Sequence, residues 1–378
     1  MLYRKFGPTE EMVSILSLGC MRLPTIDEEP KNIDEEKAIE MIRYSVDNGV
    51  NYVDTAYPYH GGMSEYLVGK ALGDGYRERV YLATKLPSWL IESRGDMDKY
   101  LNEQLERLRT EYIDFYLVHT LNQRYWKNLR ENGLFEFLDS ILKDGRVKYV
   151  GFSFHDEVEL FKEIVDAYDW TFCQIQYNFI DEDYQAGKEG LKYAAEAGLG
   201  IVIMEPLRGG RLASRVPGEI MDVWNSGEIK RTPVQWALRY LWNYGEISTV
   251  LSGMSTLEQV KENINYADEG LSSSLKEEEK ELIFKVSQMY KEKIKVNCTV
   301  CKYCLPCPVG VAIPSAFELY NDAMMFGSIE DEKERYNMLI KEEARASKCV
   351  GCGECEEACP QNIPIREKLR DVVEAFGE

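Results

Sequence analysis

Eight of the ten cysteines in the chain lie in two short runs, and the spacing within each run is typical of metal-binding proteins. The second run follows the pattern Cys-x2-Cys-x2-Cys-x3-Cys-Pro, with which bacterial proteins bind [4Fe–4S] clusters. The first run has the same form with one residue fewer before its Cys-Pro pair. Cysteines two or three residues apart are poorly placed to form disulfides with each other. The sequence therefore predicts two [4Fe–4S] clusters, with eight ligands: Cys298, Cys301, Cys304, Cys307, Cys349, Cys352, Cys355 and Cys359.

The assignment of these ligands to two clusters follows from a crossing rule, in which three close cysteines bind one cluster and the fourth binds the other. The rule gives one set of Cys298, Cys301, Cys304 and Cys359, and a second set of Cys349, Cys352, Cys355 and Cys307. Two zinc sites are the alternative, but zinc motifs rarely show three evenly spaced cysteines followed by Cys-Pro. The remaining Cys20 and Cys173 are predicted to be buried thiols.

A second set of reactive residues stands at the ends of short apolar runs in the earlier part of the chain. Asp54, Lys85 and His119 each end one run, and Tyr59 follows five residues after Asp54. If the runs are parallel strands of one barrel, their ends converge on one mouth. There the Lys cation lowers the pKa of the phenol, and the His orients an oxygen by hydrogen bonding. Considered singly, Tyr59 is also compatible with a side chain that packs at the rim of the barrel. Asp54 and Lys85 are likewise compatible with a purely structural ion pair.

Eight such apolar runs, each followed by an amphipathic stretch, predict strand–helix units. The runs are Ile15–Cys20, Asn51–Asp54, Val80–Lys85, Ile113–His119, Val147–Ser153, Phe172–Gln176, Ile201–Glu205 and Ser248–Ser252. Eight units favour a closed parallel barrel over an open sheet. We therefore predict the α/β fold class, a (β/α)8 TIM barrel, with a small helical C-terminal domain.

Helix signals occupy the intervals between the runs. They include Glu35–Asn48 with Gly49 behind it, Pro233 at a first helical position after Thr232, and the capping boxes Ser255-x-x-Glu258 and Ser274-x-x-Glu277, the latter opening a helix over Leu275–Tyr290. Further helices are predicted at Pro314–Met325, Glu330–Ala346 and Pro364–Phe376. The change in cysteine content places the domain boundary between residues 293 and 294, with the barrel over 1–293 and the cluster domain over 294–378.

Composition excludes several classes of function. The chain has 378 residues, 44% of them hydrophobic and 29% charged, which is incompatible with disorder. Its net charge of -20 repels a phosphate backbone, so nucleic acid is not expected as a partner. No run reaches the roughly 18 to 20 apolar residues of a membrane span, and no signal-peptide core follows Met1. We expect a soluble, cytoplasmic protein.

Several segments resemble the aldo-keto reductase family in order and spacing. They are Val53-Asp-Thr-Ala with Tyr59, Ser64-Glu-Tyr-Leu-Val-Gly-Lys-Ala-Leu, Ala83-Thr-Lys, Leu108-Arg-Thr-Glu-Tyr-Ile-Asp-Phe-Tyr-Leu-Val-His, Gly145-Arg-Val-Lys-Tyr-Val-Gly-Phe-Ser, Gln176-Tyr-Asn and Pro206-Leu-Arg-Gly-Gly. The resemblance covers residues 1 to about 285. It implies a barrel that transfers hydride between a nicotinamide cofactor and a carbonyl substrate. The catalytic tetrad of the family falls on Asp54, Tyr59, Lys85 and His119, with Tyr59 as the general acid.

The same resemblance implies a set of cofactor contacts: Gly19, Cys20, Met21, Ser153, Gln176, Met204, Pro206, Leu207, Arg208, Gly210, Gly253, Gln259, Glu262 and Asn263. Ser153 and Gln176 correspond to the residues that hold the carboxamide, while Arg208 and Arg211 are candidates to neutralise the pyrophosphate or else surface arginines. Three departures from the family pattern stand out. Phe154 stands where the family commonly has Asn, and Met204 stands where it often has an aromatic residue. Gly253 and Gln259 replace basic residues that many members direct at the 2'-phosphate. The choice between NADP and NAD stays open.

The cysteine-rich domain is similar to the helical ferredoxins of dicluster electron-transfer subunits, because about 40 residues, 309–348, separate its two cysteine runs. Three hypotheses follow. The clusters carry electrons between a one-electron carrier protein and a barrel that acts on a small-molecule carbonyl substrate. Alternatively, the domain is structural, or docks a partner, on an ordinary NAD(P)H-dependent reductase. A barrel that only binds a ligand is the third hypothesis, and the complete tetrad argues against it.

Overall fold

The computed structural model describes residues 1–27, 29–298, 300, 302–359 and 361–378, which form two compact units. The first unit comprises Met1–Gly209 with Val234–Lys276, and the second comprises Gly210–Pro233 with Glu277–Glu378. The predicted domain limit at residue 293 stays a prediction. The units add that residues 210–233, which interrupt the barrel sequence, pack with C-terminal residues.

The first unit contains a closed barrel of eight parallel strands, which confirms the predicted fold class. Its strands are β3 (Leu16–Gly19), β4 (Tyr52–Asp54), β5 (Tyr81–Leu86), β6 (Ile113–Leu121), β7 (Val147–Phe154), β8 (Phe172–Gln176), β9 (Gly200–Met204) and β10 (Ile247–Ser252). Neighbours in sequence are neighbours in the barrel, and β10 pairs with β3. Each strand ends within two residues of the predicted run.

An antiparallel hairpin that the sequence analysis did not predict precedes the barrel. It consists of β1 (Tyr3–Lys5) and β2 (Met12–Ser14). Phe6, just after β1, packs with its ring centroid 4.4 Å from that of Phe115 and 5.4 Å from that of Phe172. Because Phe115 and Phe172 lie near the beginnings of their strands, this aromatic cluster fills the amino-terminal end of the barrel. The reactive residues are left to the other end.

Sixteen α-helices are found in the described residues. They are α1 (Glu35–Asp47), α2 (Ser64–Ala71), α3 (Arg94–Leu108), α4 (Gln123–Glu131), α5 (Leu134–Lys143), α6 (Val158–Ala167), α7 (Gly187–Glu196), α8 (Arg211–Ser214), α9 (Gly218–Ser226), α10 (Pro233–Trp242), α11 (Leu257–Ala267), α12 (Glu277–Lys291), α13 (Ile313–Phe326), α14 (Ile329–Leu339), α15 (Glu354–Glu357) and α16 (Ile365–Phe376). Helix α10 begins at Pro233, as predicted.

Three helix predictions need correction at their ends. The cap of α11 is Thr256, whose hydroxyl accepts from the Gln259 amide, while the Gln259 side chain accepts from the Ser255 amide; the predicted box was one residue early. Helix α12 begins two residues late, because the Ser274 hydroxyl donates to the Leu271 carbonyl instead of capping. Helix α14 ends at Leu339, where Ile340 takes an extended backbone and is buried.

The second unit is helical, as predicted, and has its own apolar core. Phe317, Tyr336 and Phe376 are buried there, and the Tyr336 and Phe376 rings lie 4.8 Å apart. Arg211 joins residues 210–233 to this unit, because its guanidinium pairs with Asp322 at 2.8 Å and with Glu332 at 2.9 Å. No helix in the described part of the chain is both long and apolar enough to cross a membrane.

Candidate active site and cysteine clusters

A buried ion pair lies at the carboxyl ends of the neighbouring strands β4 and β5. Lys85 Nζ donates to Asp54 Oδ1 at 2.6 Å and to the Thr55 carbonyl at 2.8 Å. Lys85 is 0% exposed and Asp54 2%. Burial raises the pKa of Asp54, and the Lys85 ammonium opposes this rise. Burial also works against the Lys85 charge, but Asp54 and Tyr59 together outweigh it, and the pKa of Lys85 is raised. The lysine is therefore a fixed cation.

Tyr59 lies on the 3-10 turn Tyr59–Gly62 after β4, with its hydroxyl 3.4 Å from Lys85 Nζ. Burial raises the pKa of Tyr59 above its usual value of about 10, while Lys85 acts to lower it. The expectation that the phenol has a lowered pKa is therefore wrong for the net shift, although Lys85 acts in the predicted direction. The phenol is protonated at neutral pH, which is the form that a proton donor needs.

His119 completes the group at the end of β6. Its ring centroid lies 6.2 Å from that of Tyr59 and 5.3 Å from that of Trp89. The strand pairing is irregular between Val118 and Leu121, a bulge of the kind that re-aims side chains beside active sites. Burial, with Lys85 and His155, places the pKa of His119 well below its usual value. The imidazole is neutral, and its Nδ1 has no hydrogen-bond partner among the described residues.

Two of the predicted cofactor contacts have complementary hydrogen bonds. The Ser153 hydroxyl oxygen accepts from the Thr120 amide at 2.8 Å, so its proton is left to donate elsewhere. The Gln176 amide nitrogen donates to Asp181 at 3.2 Å, which directs its carbonyl oxygen away. One donor and one acceptor are what a carboxamide requires.

Several of the remaining predicted contacts lie at or just after the ends of strands β3 and β9. Cys20 and Cys173 are buried, as predicted. Strand β3 ends at Gly19, and the amide of the next residue, Cys20, donates to the Asp54 carbonyl at 2.8 Å. Met21 is exposed. Met204 ends β9, and its sulfur accepts from Gln174 at 3.5 Å. Beyond it lie Pro206 and Leu207, and Gly210 is the first residue of the second unit.

The predicted contacts after β10 and the two arginines differ in their surroundings. Gly253 follows β10, Gln259 serves the cap of α11, Glu262 is exposed, and Asn263 is buried with its amide donating to Ser252. Arg208 pairs with Asp181 at 3.0 Å. Arg211 belongs to the second unit and pairs there with acidic side chains.

Arg22, which the sequence analysis did not single out, lies close to Gly209 and to the predicted contact Gly253. A Cβ placed on Gly253 would lie 3.2 Å from Arg22 Cδ, and one placed on Gly209 would lie 3.2 Å from its Nη2. The nearest acidic group in an ion pair with it, Glu205, is 3.9 Å away, too far for a hydrogen bond. The only sequence signal is its position directly after Gly19–Met21.

The described cysteines of the second unit gather in two places. Cys298, Cys304 and Cys359 line one cavity, with Ile313 and Phe317 in its wall, as the crossing rule predicts for the first ligand set. Burial, Glu356, Cys349 and Cys352 together raise the pKa of Cys355, so these three thiols are neighbours. Cys307 packs against the same apolar core, and Cys301 lies outside the described residues.

The donor chemistry fits iron–sulfur clusters. The cysteines that line the cavity offer thiols, the donors that bind iron–sulfur clusters, and most of the other side chains that line it are apolar. Within the described ranges, no three His, Cys, Asp or Glu side chains are placed to hold one metal ion. In a cubane each cysteine binds a different iron, so its ligands surround the cluster instead of meeting at one point.

A closed (β/α)8 barrel whose strand ends carry a buried Asp–Lys pair, a phenol and a neutral imidazole defines a barrel oxidoreductase. The family model "Aldo/keto reductase family" matches residues 16–282, and the model "4Fe-4S dicluster domain" matches residues 297–363. The chain therefore belongs to the aldo/keto reductase family and carries a 4Fe-4S dicluster domain.

Three known proteins illustrate the similarity. "Probable aldo-keto reductase 1" of Glycine max is 26% identical over 296 residues, 69% of this chain and 82% of the relative. "Uncharacterized oxidoreductase YqkF" of Bacillus subtilis is 27% identical over 70% of this chain and 90% of its own. The structure of aldo-keto reductase AKR11C1 from Bacillus halodurans, holo form, has a TM-score of 0.64 and 28% identity, covering 76% of this chain and 96% of that one.

Proposed function

We propose that the protein interconverts a carbonyl compound and its alcohol with NAD(P)H, and that two [4Fe–4S] clusters exchange electrons with a carrier protein. The observation that carries the first part is the meeting of Asp54, Lys85, Tyr59 and His119 at one barrel mouth, with Lys85 Nζ 2.6 Å from Asp54 and 3.4 Å from the Tyr59 hydroxyl. A bound nicotinamide supplies or accepts the hydride.

The four side chains have distinct roles in this reaction. Tyr59 donates the proton to the carbonyl oxygen during reduction and takes it back during oxidation. Lys85 lowers the cost of the phenolate that remains, and Asp54 keeps Lys85 charged in a buried site. His119, neutral, donates a hydrogen bond that holds the carbonyl oxygen beside Tyr59. Trp89 next to His119 supplies an apolar wall for the substrate.

The cofactor contacts are part of the proposal. Ser153 would donate to the carboxamide oxygen of a bound nicotinamide and Gln176 would accept from its amide, in line with the hydrogen bonds that they make in the protein. Arg22, near Gly209 and Gly253, is placed to meet the pyrophosphate. Arg208 is already paired with Asp181.

Replacing Tyr59 by Phe tests the catalytic proposal. The variant removes only the proton donor, so NAD(P)H-dependent reduction of a panel of aldehydes and ketones falls by about 10²- to 10⁴-fold, while cofactor binding measured by fluorescence is unchanged. Tyr57→Phe is the matched control, because Tyr57 lies two residues away and its hydroxyl bonds Glu103 instead of Lys85. A Tyr59→Phe variant as active as Tyr57→Phe contradicts the assigned acid.

For the clusters, the supporting observation is the gathering of cysteines in two places. Two clusters bound by these cysteines would hold the two electrons of one hydride, one electron each. The carrier meets an acidic protein with a net charge of -20, so its binding weakens with salt. We place the protein in the cytoplasm, where reducing conditions keep thiols available.

Anaerobic titration separates electron transfer from the alternative, a structural or docking domain. Adding NAD(P)H or a low-potential donor bleaches the visible cluster absorbance and gives a paramagnetic signal. Cys352→Ala removes one share of the iron and slows carrier-linked turnover, while Tyr59-dependent reduction continues. Clusters that stay oxidised with every donor, in a protein that still reduces carbonyls, favour the structural alternative.

A further inference from the structure

The first two residues of α2, Ser64 and Glu65, lie behind the ion pair of the barrel mouth. Both side chains are completely buried, and the proposed reaction uses neither. A buried carboxylate is costly unless its oxygens are well hydrogen bonded. The partners of these two residues therefore indicate what the protein gains from placing them there.

Ser64 is connected to Lys85 through Thr55. The Ser64 hydroxyl donates to the Cys20 carbonyl at 3.1 Å and lies 2.8 Å from the Thr55 hydroxyl. Because the Ser64 proton is already used, Thr55 is the donor between the two hydroxyls. The Thr55 carbonyl in turn accepts from Lys85 Nζ at 2.8 Å. Ser64 thus fixes the residue that binds the lysine ammonium.

Glu65 reaches the backbone of Lys85 by a second route. One of its oxygens accepts from the Thr84 hydroxyl at 2.7 Å and from the Gln104 amide at 2.6 Å, and that amide also donates to the Lys85 carbonyl at 3.0 Å. The other oxygen pairs with Arg107 at 3.2 Å. Burial raises the pKa of Glu65, and these donors oppose the rise.

The two routes are related by the alternation of side chains along a strand. Thr55 directly follows Asp54, the last residue of β4, and its amide still donates to the Ala83 carbonyl of β5, while Thr84 precedes Lys85 on β5. Neighbouring side chains in a strand point to opposite faces. The catalytic pair therefore faces the barrel interior, while the two threonines face α2 and meet Ser64 and Glu65. One dipeptide holds the outer face of both strands that carry the pair.

We propose that Ser64 and Glu65 are positioning residues that form a clamp. The clamp fixes how far β4 and β5 are shifted along each other, and thereby the distances from Lys85 to Asp54 and Tyr59. The proposal rests on the proposed function only in that its kinetic consequences need carbonyl reduction. Released from the clamp, Lys85 interacts less with Tyr59. Since Lys85 lowers the pKa of Tyr59, the pKa of the phenol then rises further.

Two variants weaken the Glu65 route. Glu65→Gln replaces an acceptor oxygen by a donor, and Thr84→Val removes one hydroxyl in an isosteric change. For carbonyl reduction, kcat falls by about 10- to 100-fold, the range caused by displacements of about 1 Å in an active site. The alkaline limb of the kcat profile moves to higher pH. The Kd for NAD(P)H stays within about twofold.

Asp114→Asn is the matched control. Asp114 is also a buried carboxylate, bound by the Leu82 amide, Arg77 and Lys148, but it stands at the start of β6, away from His119. The control variant loses stability in urea, as Glu65→Gln does, while its kcat and pH profile stay those of the wild type. A purely structural role for Glu65 gives the same result as the control.

The outcomes separate this proposal from the proposed function. A wild-type protein that reduces no carbonyl with NAD(P)H overturns the proposed function. An active wild type, together with Glu65→Gln and Thr84→Val variants that keep its kcat and pH profile, overturns the clamp. If Glu65→Gln does not fold, Thr84→Val alone decides, because it leaves the Glu65–Arg107 ion pair intact.

Discussion

The barrel mouth and the cysteine runs are both reactive regions, but they differ in how much of each site the polypeptide completes by itself. At the mouth, Lys85 is fully buried and makes hydrogen bonds to Asp54 and Thr55. In the second unit, Cys352 is exposed, and Cys298 and Cys304 are only partly buried. The charged side chains at the mouth are paired with each other, whereas Cys298, Cys304 and Cys359 line a cavity.

This difference separates a preorganised site from a site that its ligand completes. The Asp54–Lys85 pair is costly to bury and persists because other groups hold it. Thiolates repel each other, so a dense set of them is stable only around a metal centre that neutralises them. Substitutions at the mouth therefore test how the protein preorganises the site, and removal of iron tests how far the cysteine runs depend on a bound metal centre.

The largest expected effect is that of Lys85→Met. It leaves the Asp54 carboxylate buried without its cation, which costs about 3–5 kcal/mol of unfolding free energy and abolishes carbonyl reduction. Urea unfolding and steady-state assays measure both. Lys148→Met is the control, since Lys148 is half exposed and its partner Asp114 keeps Arg77. A loss below about 1 kcal/mol would show that Asp54 is not an uncompensated charge.

Removing iron with a chelator under anaerobic conditions tests the other side of the comparison. Amide hydrogen exchange accelerates by about 10-fold or more near the two cysteine runs and changes little in β4 and β5, because only the first region depends on its ligand. Carbonyl reduction with NAD(P)H continues. Equal protection with and without iron contradicts the idea that the clusters complete this region.

Acid sensitivity is the third expected effect and belongs to the barrel, which carries all three histidines. Burial lowers the pKa of all three histidines. The pKa of His155 falls to about 4, that of His119 falls well below its usual value, and that of His60 is also lowered. Unfolding then takes up protons, so stability falls as the pH drops below about 6.5 towards 4. His155→Asn reduces this slope by at most about 1.4 kcal/mol per pH unit between pH 6.5 and 5. Urea midpoints at several pH values measure the slope, and an unchanged slope contradicts the assignment.

The smallest expected effect concerns the cofactor. Gly253 has no side chain, and the Gln259 amide is engaged with the Ser255 backbone, so neither offers a cation to a 2'-phosphate. NADH and NADPH therefore bind within about tenfold of each other, about 1.4 kcal/mol. Fluorescence titration with both cofactors measures the ratio. A far larger preference for NADPH would point to another cation, with Arg22→Met as the variant to compare.

The sequence predicted the barrel and the meeting of the tetrad because both leave local signals. Asp54, Lys85 and His119 are polar residues at the ends of apolar runs, and a parallel barrel places such ends together. The clamp left no such signal. Thr84 and Glu65 are 19 residues apart, and their contact depends on which face of α2 is turned inward.

Other features escaped prediction because they depend on burial or on competition between neighbours. The direction of the Tyr59 pKa shift reflects desolvation, which only the folded chain determines. The cap of α11 was a choice between adjacent Ser255 and Thr256, decided by the reach of the Gln259 side chain. No local sequence signal indicates that residues 210–233 pack with residues 277–378, which follow much later in the chain.

That segment also bears on the order in which the protein folds during synthesis. Arg211 and Arg215 pair with Glu332 and Asp331, residues 121 and 116 positions further along the chain. A ribosome takes roughly 6 to 24 s to add that many residues. Strand β10 and helices α10 and α11 emerge during this interval, so the barrel has all its strands while residues 210–233 still lack these partners. The ion pairs that Arg211 and Arg215 make with Glu332 and Asp331 therefore form only after the last strand of the barrel has been made.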